Sequence, residues 1–132
     1  MIKGFDNETE PLTEYERDVL VPVMIRGLIS KVGKERAVTN KYIVSCMKKQ
    51  DYKISDARVR KVINFIRTND LVPCLIATSD GYYIAESEKE LLDYEESLQG
   101  REDAIRAVRI SIMRQRKRKY GGQQLDLFNE QI

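Results

Sequence analysis

The residues best suited to chemistry in this chain point to binding. From Ser55 to Ile66, the residues Val59, Val62, Ile63 and Ile66 are spaced i, i+3, i+4, i+7, the signature of a helix with one buried stripe, and Ser55 is a good N-cap for it. Projected opposite that stripe are Ala57, Arg60, Lys61 and Asn64, with Arg58 at the flank. An arginine can reach a guanine edge through two N–H groups and an asparagine can do the same for adenine, while a lysine suits a phosphate. Such a face is a candidate reader of double-stranded DNA. The plainer alternative is the ordinary solvated side of an amphipathic helix.

Catalysis has little to work with. There is no histidine, so the commonest general base and the commonest metal ligand are both missing. Glu86, Glu88, Glu90 and Asp93 gather where a helix begins, and acids there are explained by the helix dipole without a metal. Cys46 and Cys74 form neither a disulfide framework nor a zinc-ligand spacing and are expected to be buried, reduced thiols. We therefore expect no enzyme activity, no metal and no cofactor. The net charge of +2 conceals a segregation: residues 86–103 are acidic, whereas residues 106–119 are almost uniformly basic and end in Arg114, Arg116, Lys117, Arg118 and Lys119. That run suits a polyanion, although charge runs are commonly just solvated faces.

These residues must be positioned by a chain of 132 residues, enough for one domain with tails, whose 42% apolar content supplies a modest core. Residues 1–12 lack apolar periodicity and read as a flexible arm. Thr13 and Glu16 make a capping box, followed by a stripe of Leu20, Val23, Met24 and Leu28. Pro22 either kinks this helix or opens a second piece of it. After a polar connection, Thr39 caps a short helix with Ile43, Val44 and Met47 inside; a turn then leads to the Ser55 helix. Leu71–Thr78 and Tyr82–Ile84 read as two strands joined at Ser79-Asp80-Gly81, and of the two adjacent tyrosines, Tyr82 and Tyr83, one ring should point inward and one outward. Tyr82 is the candidate DNA contact of this hairpin. Ser87 and Glu90 begin a long helix carrying Leu91, Tyr94, Leu98, Ile105, Val108 and Ile112, interrupted by Gly100 and Arg101 and stopped by Gly121-Gly122. Its three-four seam either pairs with a second copy, giving a homodimer on two half-sites, or packs on the first helix of its own domain.

Helix, helix, turn, helix and hairpin is the order of a winged helix-turn-helix domain, so the expected fold is mainly α, with a winged domain over 13–86, a two-stranded wing, a long helix over 87–119 and a tail over 120–132. The stretches LTEYERDVLVPVMIRGL, KERAVTN, ISDARVRKVINFIRTNDLVPCLIATSDGYYIA and SEKELLDYEESLQGREDAIRAV resemble small winged helix proteins of bacteriophages and prophages. That resemblance implies the fold more than a task.

In the tail, Gln124-Leu125-Asp126-Leu127-Phe128 resembles the pentapeptide with which bacterial polymerases and repair proteins bind the sliding clamp, the beta subunit of the replicative polymerase. The resemblance implies that Leu127 and Phe128 fill an apolar pocket on the clamp, that Gln124 hydrogen-bonds and Leu125 packs in a neighbouring cleft, and that Asp126 faces outward. The alternative is that the tail folds back and these side chains cap the domain's own core. The combined expectation is a DNA-binding adaptor of phage or mobile-element replication that docks on the host clamp. A winged helix transcriptional regulator and a clamp-blocking inhibitor of host replication are the alternatives. No apolar stretch approaches the roughly 20 residues of a membrane span, and MIKGFDNETE lacks the pattern of a signal peptide, so the expected location is the bacterial cytoplasm, at the nucleoid.

Overall fold

In the computed structural model, which describes residues 10–121, the order is a π-helical turn (Glu16–Leu20), α1 (Val21–Leu28), a 3₁₀ turn (Lys34–Arg36), α2 (Asn40–Lys49), α3 (Asp56–Thr68), β1 (Leu75–Thr78), β2 (Gly81–Ile84), α4 (Glu88–Arg116) and a second π-helical turn (Lys117–Gly121). The protein is mainly helical, with one two-stranded antiparallel sheet and a long C-terminal helix. It divides into two units, Met1–Leu91 and Leu92–Ile132, the boundary falling within the first turn of α4.

Four helical starts follow from a side chain that satisfies an orphan backbone donor. Thr13 Oγ1 accepts from Glu16 N at 3.1 Å, and Glu16 Oε1 accepts from Thr13 N at 2.9 Å, a complete capping box. Thr39 and Ser55 accept from the amides of Tyr42 and Arg58 at 3.2 and 3.3 Å. At α4, Ser87 Oγ accepts from Glu90 N at 3.2 Å, but Glu90 returns its bond to the amide of Glu86 at 2.8 Å, one residue earlier than a standard box.

Pro22 occupies the first turn of α1. Immediately before it the chain widens into a π turn, where Val21 N–H reaches back to Glu16 O. Proline has no N–H to give and its ring crowds the carbonyl four residues earlier, so a widened turn accommodates it without breaking the helix.

The core of the first unit is built where α1, α2 and α3 converge on one face of the hairpin. Val59, Val62, Ile63 and Ile66 of α3 meet Leu20, Met24 and Leu28 from the first helix, Met47 from α2, and Leu75 and Tyr82 from the strands. All four stripe residues of α3 are at most 1% exposed. In the hairpin, Leu75 pairs with Ile84, Ile76 with Tyr83, Ala77 with Tyr82 and Thr78 with Gly81. Val38 adds a further antiparallel bridge to Tyr82, with Tyr82 N donating to Val38 O at 2.8 Å and Val38 N to Tyr82 O at 3.0 Å. Gly81 is required at this crossing: its φ is +117°, and a Cβ there would stand 2.4 Å from Val38 O.

Three local expectations are corrected. The first strand is short, Leu75–Thr78 rather than Leu71–Thr78, because Asp70 and Cys74 have left-handed φ of 56° and 63° and the segment between them turns. Cys74 is exposed and Cys46 half-buried, both free, so neither is the buried thiol expected. Finally, both hairpin tyrosines are buried: Tyr82 faces the main core, and Tyr83 is 5% exposed on the other face, beside its cross-strand partner Ile76. Alternation sends the rings to opposite faces, as read from the sequence, but here neither face is open.

Over Leu92–Gly121 the second unit is a single helical run in which no side chain is buried. Leu98, Ile105, Val108 and Ile112 are 39%, 69%, 63% and 56% exposed. Hydrogen bonds between side chains one turn apart join Gln99 to Asp103, Arg101 to Ser97 and Gln115 to Ser111. No helix among the described residues is long and apolar enough to cross a membrane.

Candidate nucleic-acid interface

With its stripe locked in the core, α3 turns the opposite side to solvent. Arg60 and Asn64 are exposed, and Ala57 and Lys61 are half-buried at the margin. Lys61, Asn64 and Thr68 line a shallow cleft with Pro11, Leu12 and Arg17, so the surface that carries the α3 side chains extends onto the N-terminal segment. Arg17 is exposed and lies 3.6 Å from Asp18, an ion pair in open solvent that leaves the guanidinium accessible. Sequence reasoning missed Arg17. Its signal was weak, since only the packing of the π turn against α3 brings it beside Lys61.

The structure gives Arg58 a different place from the DNA-facing flank expected of it. Its Nε donates to Glu16 Oε2 at 2.8 Å, its Nη2 donates to Glu16 Oε1, and the two terminal nitrogens also reach the carbonyls of Glu10 and Pro11 at 2.9 and 3.0 Å. Side-chain exposure is 14% for Arg58 and 9% for Glu16. The hydrogen bond from Arg58, aided by the Thr13 amide, holds the Glu16 carboxyl below its ordinary pKa against the opposing effect of burial. In return, Glu16 raises the pKa of Arg58. A two-pronged guanidinium–carboxylate pair with further carbonyl acceptors is a clamp between α3 and the segment that precedes α1. It holds α3 against that segment and occupies the Arg58 guanidinium.

Tyr82 is likewise committed inward. Its hydroxyl donates to Asn40 Oδ1 at 2.7 Å, tying the hairpin to the start of α2, and its ring is 9% exposed. Tyr83 has its pKa raised by burial first and by Glu90 second. A hairpin contact to a ligand would thus come from its tip, where Lys34 and Asp80 pair at 3.6 Å, both well exposed.

At the other end of the chain, Arg114 and Arg116 close α4, and Lys117, Arg118 and Lys119 fill the final π turn, all exposed. Lys119 Nζ lies 5.3 Å from the Tyr120 ring centroid, a cation–π contact. Gln124, Leu125, Asp126, Leu127 and Phe128 fall outside the described residues. No group of three or more potential metal-ligating side chains is assembled among the described residues. Comparison with protein-family models, curated proteins and solved structures gave no match.

Proposed function

We propose that this protein is a winged helix-turn-helix DNA-binding adaptor that docks on the bacterial sliding clamp through residues 124–128, in the setting of phage or mobile-element replication. The observation that carries the DNA half is the exposed α3 surface of Arg60, Lys61 and Asn64, flanked by Arg17 and backed by a fully buried stripe. A rigid helix presenting two cations and an amide from one side suits a major groove, with Arg60 and Asn64 at base edges and Lys61 and Arg17 at phosphates. The β1–β2 hairpin, stiffened by the Val38 bridge, serves as the wing. Tyr82 supports the hairpin from within, and Arg58 supports α3.

The basic quintet from Arg114 to Lys119 adds phosphate attraction that ignores sequence. The clamp half rests on the Gln124-Leu125-Asp126-Leu127-Phe128 motif in the sequence. A peptide contact to a ring that encircles duplex, joined in one chain to a DNA contact, multiplies two weak affinities into a strong one.

Titration of the full chain onto duplex, free and threaded through a loaded clamp, tests both halves. Arg60→Ala should weaken duplex binding by about 1–3 kcal/mol, and Lys61→Ala should lower the salt slope by about one. Leu127→Ala with Phe128→Ala should remove clamp pull-down while leaving free-duplex binding intact. Duplex binding indifferent to Arg60 and Lys61 would refute the DNA half, and clamp recovery equal to that of the native chain would refute the docking half.

A further inference from the structure

We propose that α4 is a self-association helix that pairs with a second copy of this chain in antiparallel orientation. The first observation is an apolar seam that no described residue covers. Leu98, Ile105, Val108 and Ile112 follow one another in steps of seven, three and four, which keeps them on one side of the helix, and all four are exposed. Steps that sum to seven are those of a two-helix coil, whose seam is met by an equivalent seam.

The second observation is the pattern of charge beside that seam, which selects both the occupant and its direction. On one flank, at intervals of seven, stand Glu95, Glu102, Arg109 and Arg116. On the other, at the same intervals, stand Glu90, Ser97, Ala104, Ser111 and Arg118, small and uncharged at the middle three positions. If two copies lay parallel, the charged flank of each would face the neutral flank of the other and no ion pair would form across the seam. The acidic stretch 86–103 would also lie along its own copy, and the basic stretch 106–119 along its own. Antiparallel pairing reverses both outcomes. Like flanks then face each other end to end, so Glu95 and Glu102 of one copy meet Arg109 and Arg116 of the other, twice over by symmetry. In that register Arg101, the polar break in the seam, stands level with Ile112 of the opposite copy, where its aliphatic stem can lie against apolar neighbours while its head reaches solvent. A single change of sign halfway along one flank is self-complementary in this orientation alone.

Sedimentation equilibrium of the full chain, one seam variant and two charge-reversal variants, with circular dichroism to check folding, tests the proposal. The native chain should sediment as a dimer, and Ile105→Asp as a folded monomer. Glu95→Arg with Glu102→Arg makes the flank wholly basic, and Arg109→Glu with Arg116→Glu makes it wholly acidic. Each of these doubly substituted chains should weaken self-association at least tenfold, and an equimolar mixture of the two should recover dimer. A monomeric native chain, an Ile105→Asp dimer as stable as the native one, or charge variants that dimerise as the native chain does would each overturn it. The last result would show that the pair is parallel or uses another surface.

Discussion

α3 and α4 carry apolar residues at similar helical spacing and meet opposite fates. In α3 the stripe of Val59, Val62, Ile63 and Ile66 is excluded from solvent, whereas in the much longer α4 no residue is buried. A helix of 13 residues is marginal in water and owes its existence to its packed face, so its exposed side is held rigid at no further cost. A helix of 29 residues can persist on propensity and side-chain bonds one turn apart, and its apolar residues remain available to something outside the described chain. The first arrangement suits reading a surface. The second suits acquiring a partner.

The sharpest way to break this contrast is to truncate one residue from each stripe. Ile66→Ala should destabilise the first unit by about 2–5 kcal/mol, because it removes contacts from a filled site that cannot fully collapse. Ile105→Ala should leave the urea midpoint of that unit unchanged in dilute solution, since the side chain is 69% exposed. Tyrosine fluorescence followed through urea denaturation reads both. Equal losses would mean that α4 is part of the core.

Much of this contrast was legible in the sequence, and the limits of that legibility have physical causes. The α3 stripe, the caps at Thr13, Thr39, Ser55 and Ser87, and the hairpin at Ser79-Asp80-Gly81 depend on neighbours within a turn or two, and the structure holds them as expected. Local pattern also led to Arg60, Lys61 and Asn64. It could not reveal that Arg58 is spoken for, because its carboxylate partner lies 42 residues away, nor that Tyr82 bonds to Asn40 at the same separation. Nor could alternation along β2 say what covers each face of the sheet. Cys74 went astray through backbone conformation: a left-handed residue interrupts the apolar run that read as strand, and the strand starts only after it, at Leu75.

A smaller but more diagnostic perturbation is to cut the Glu16–Arg58 clamp. Exposed ion pairs contribute about 0–1 kcal/mol and the rupture of a buried one costs about 3–5 kcal/mol. This pair sits at the rim of the core, so Arg58→Ala should cost about 2 kcal/mol, between those limits. The pH dependence follows from the direction of the Glu16 shift. Its folded pKa is depressed, so the stabilisation is complete above the ordinary glutamate range of about 4.3 and is lost as pH falls through the lower folded value. Urea midpoints should therefore decline on acidification more steeply in the native chain than in Glu16→Gln. Parallel pH profiles would show that the Glu16–Arg58 pair contributes nothing to stability.

The gentlest probe sits in the middle of α4. Gly100 lies in the helix interior, and a Cβ built there meets nothing within 4 Å. Adding a methyl group in open space creates no clash and reduces the freedom of the unfolded chain, so Gly100→Ala should stabilise α4 by about 0.5–1 kcal/mol. Far-UV circular dichroism should show greater helicity on heating, with the urea midpoint of the first unit unmoved. Gly100 stands two positions past Leu98, off the apolar seam, so the substitution should leave self-association intact or slightly stronger through better helix order. If Gly100→Ala instead weakened the helix or the dimer, the backbone at that point would have to be in close contact with another surface. The contrast between a packed α3 and an open α4 would then fail at the one position in α4 where the absence of a side chain leaves the most room for an approaching neighbour.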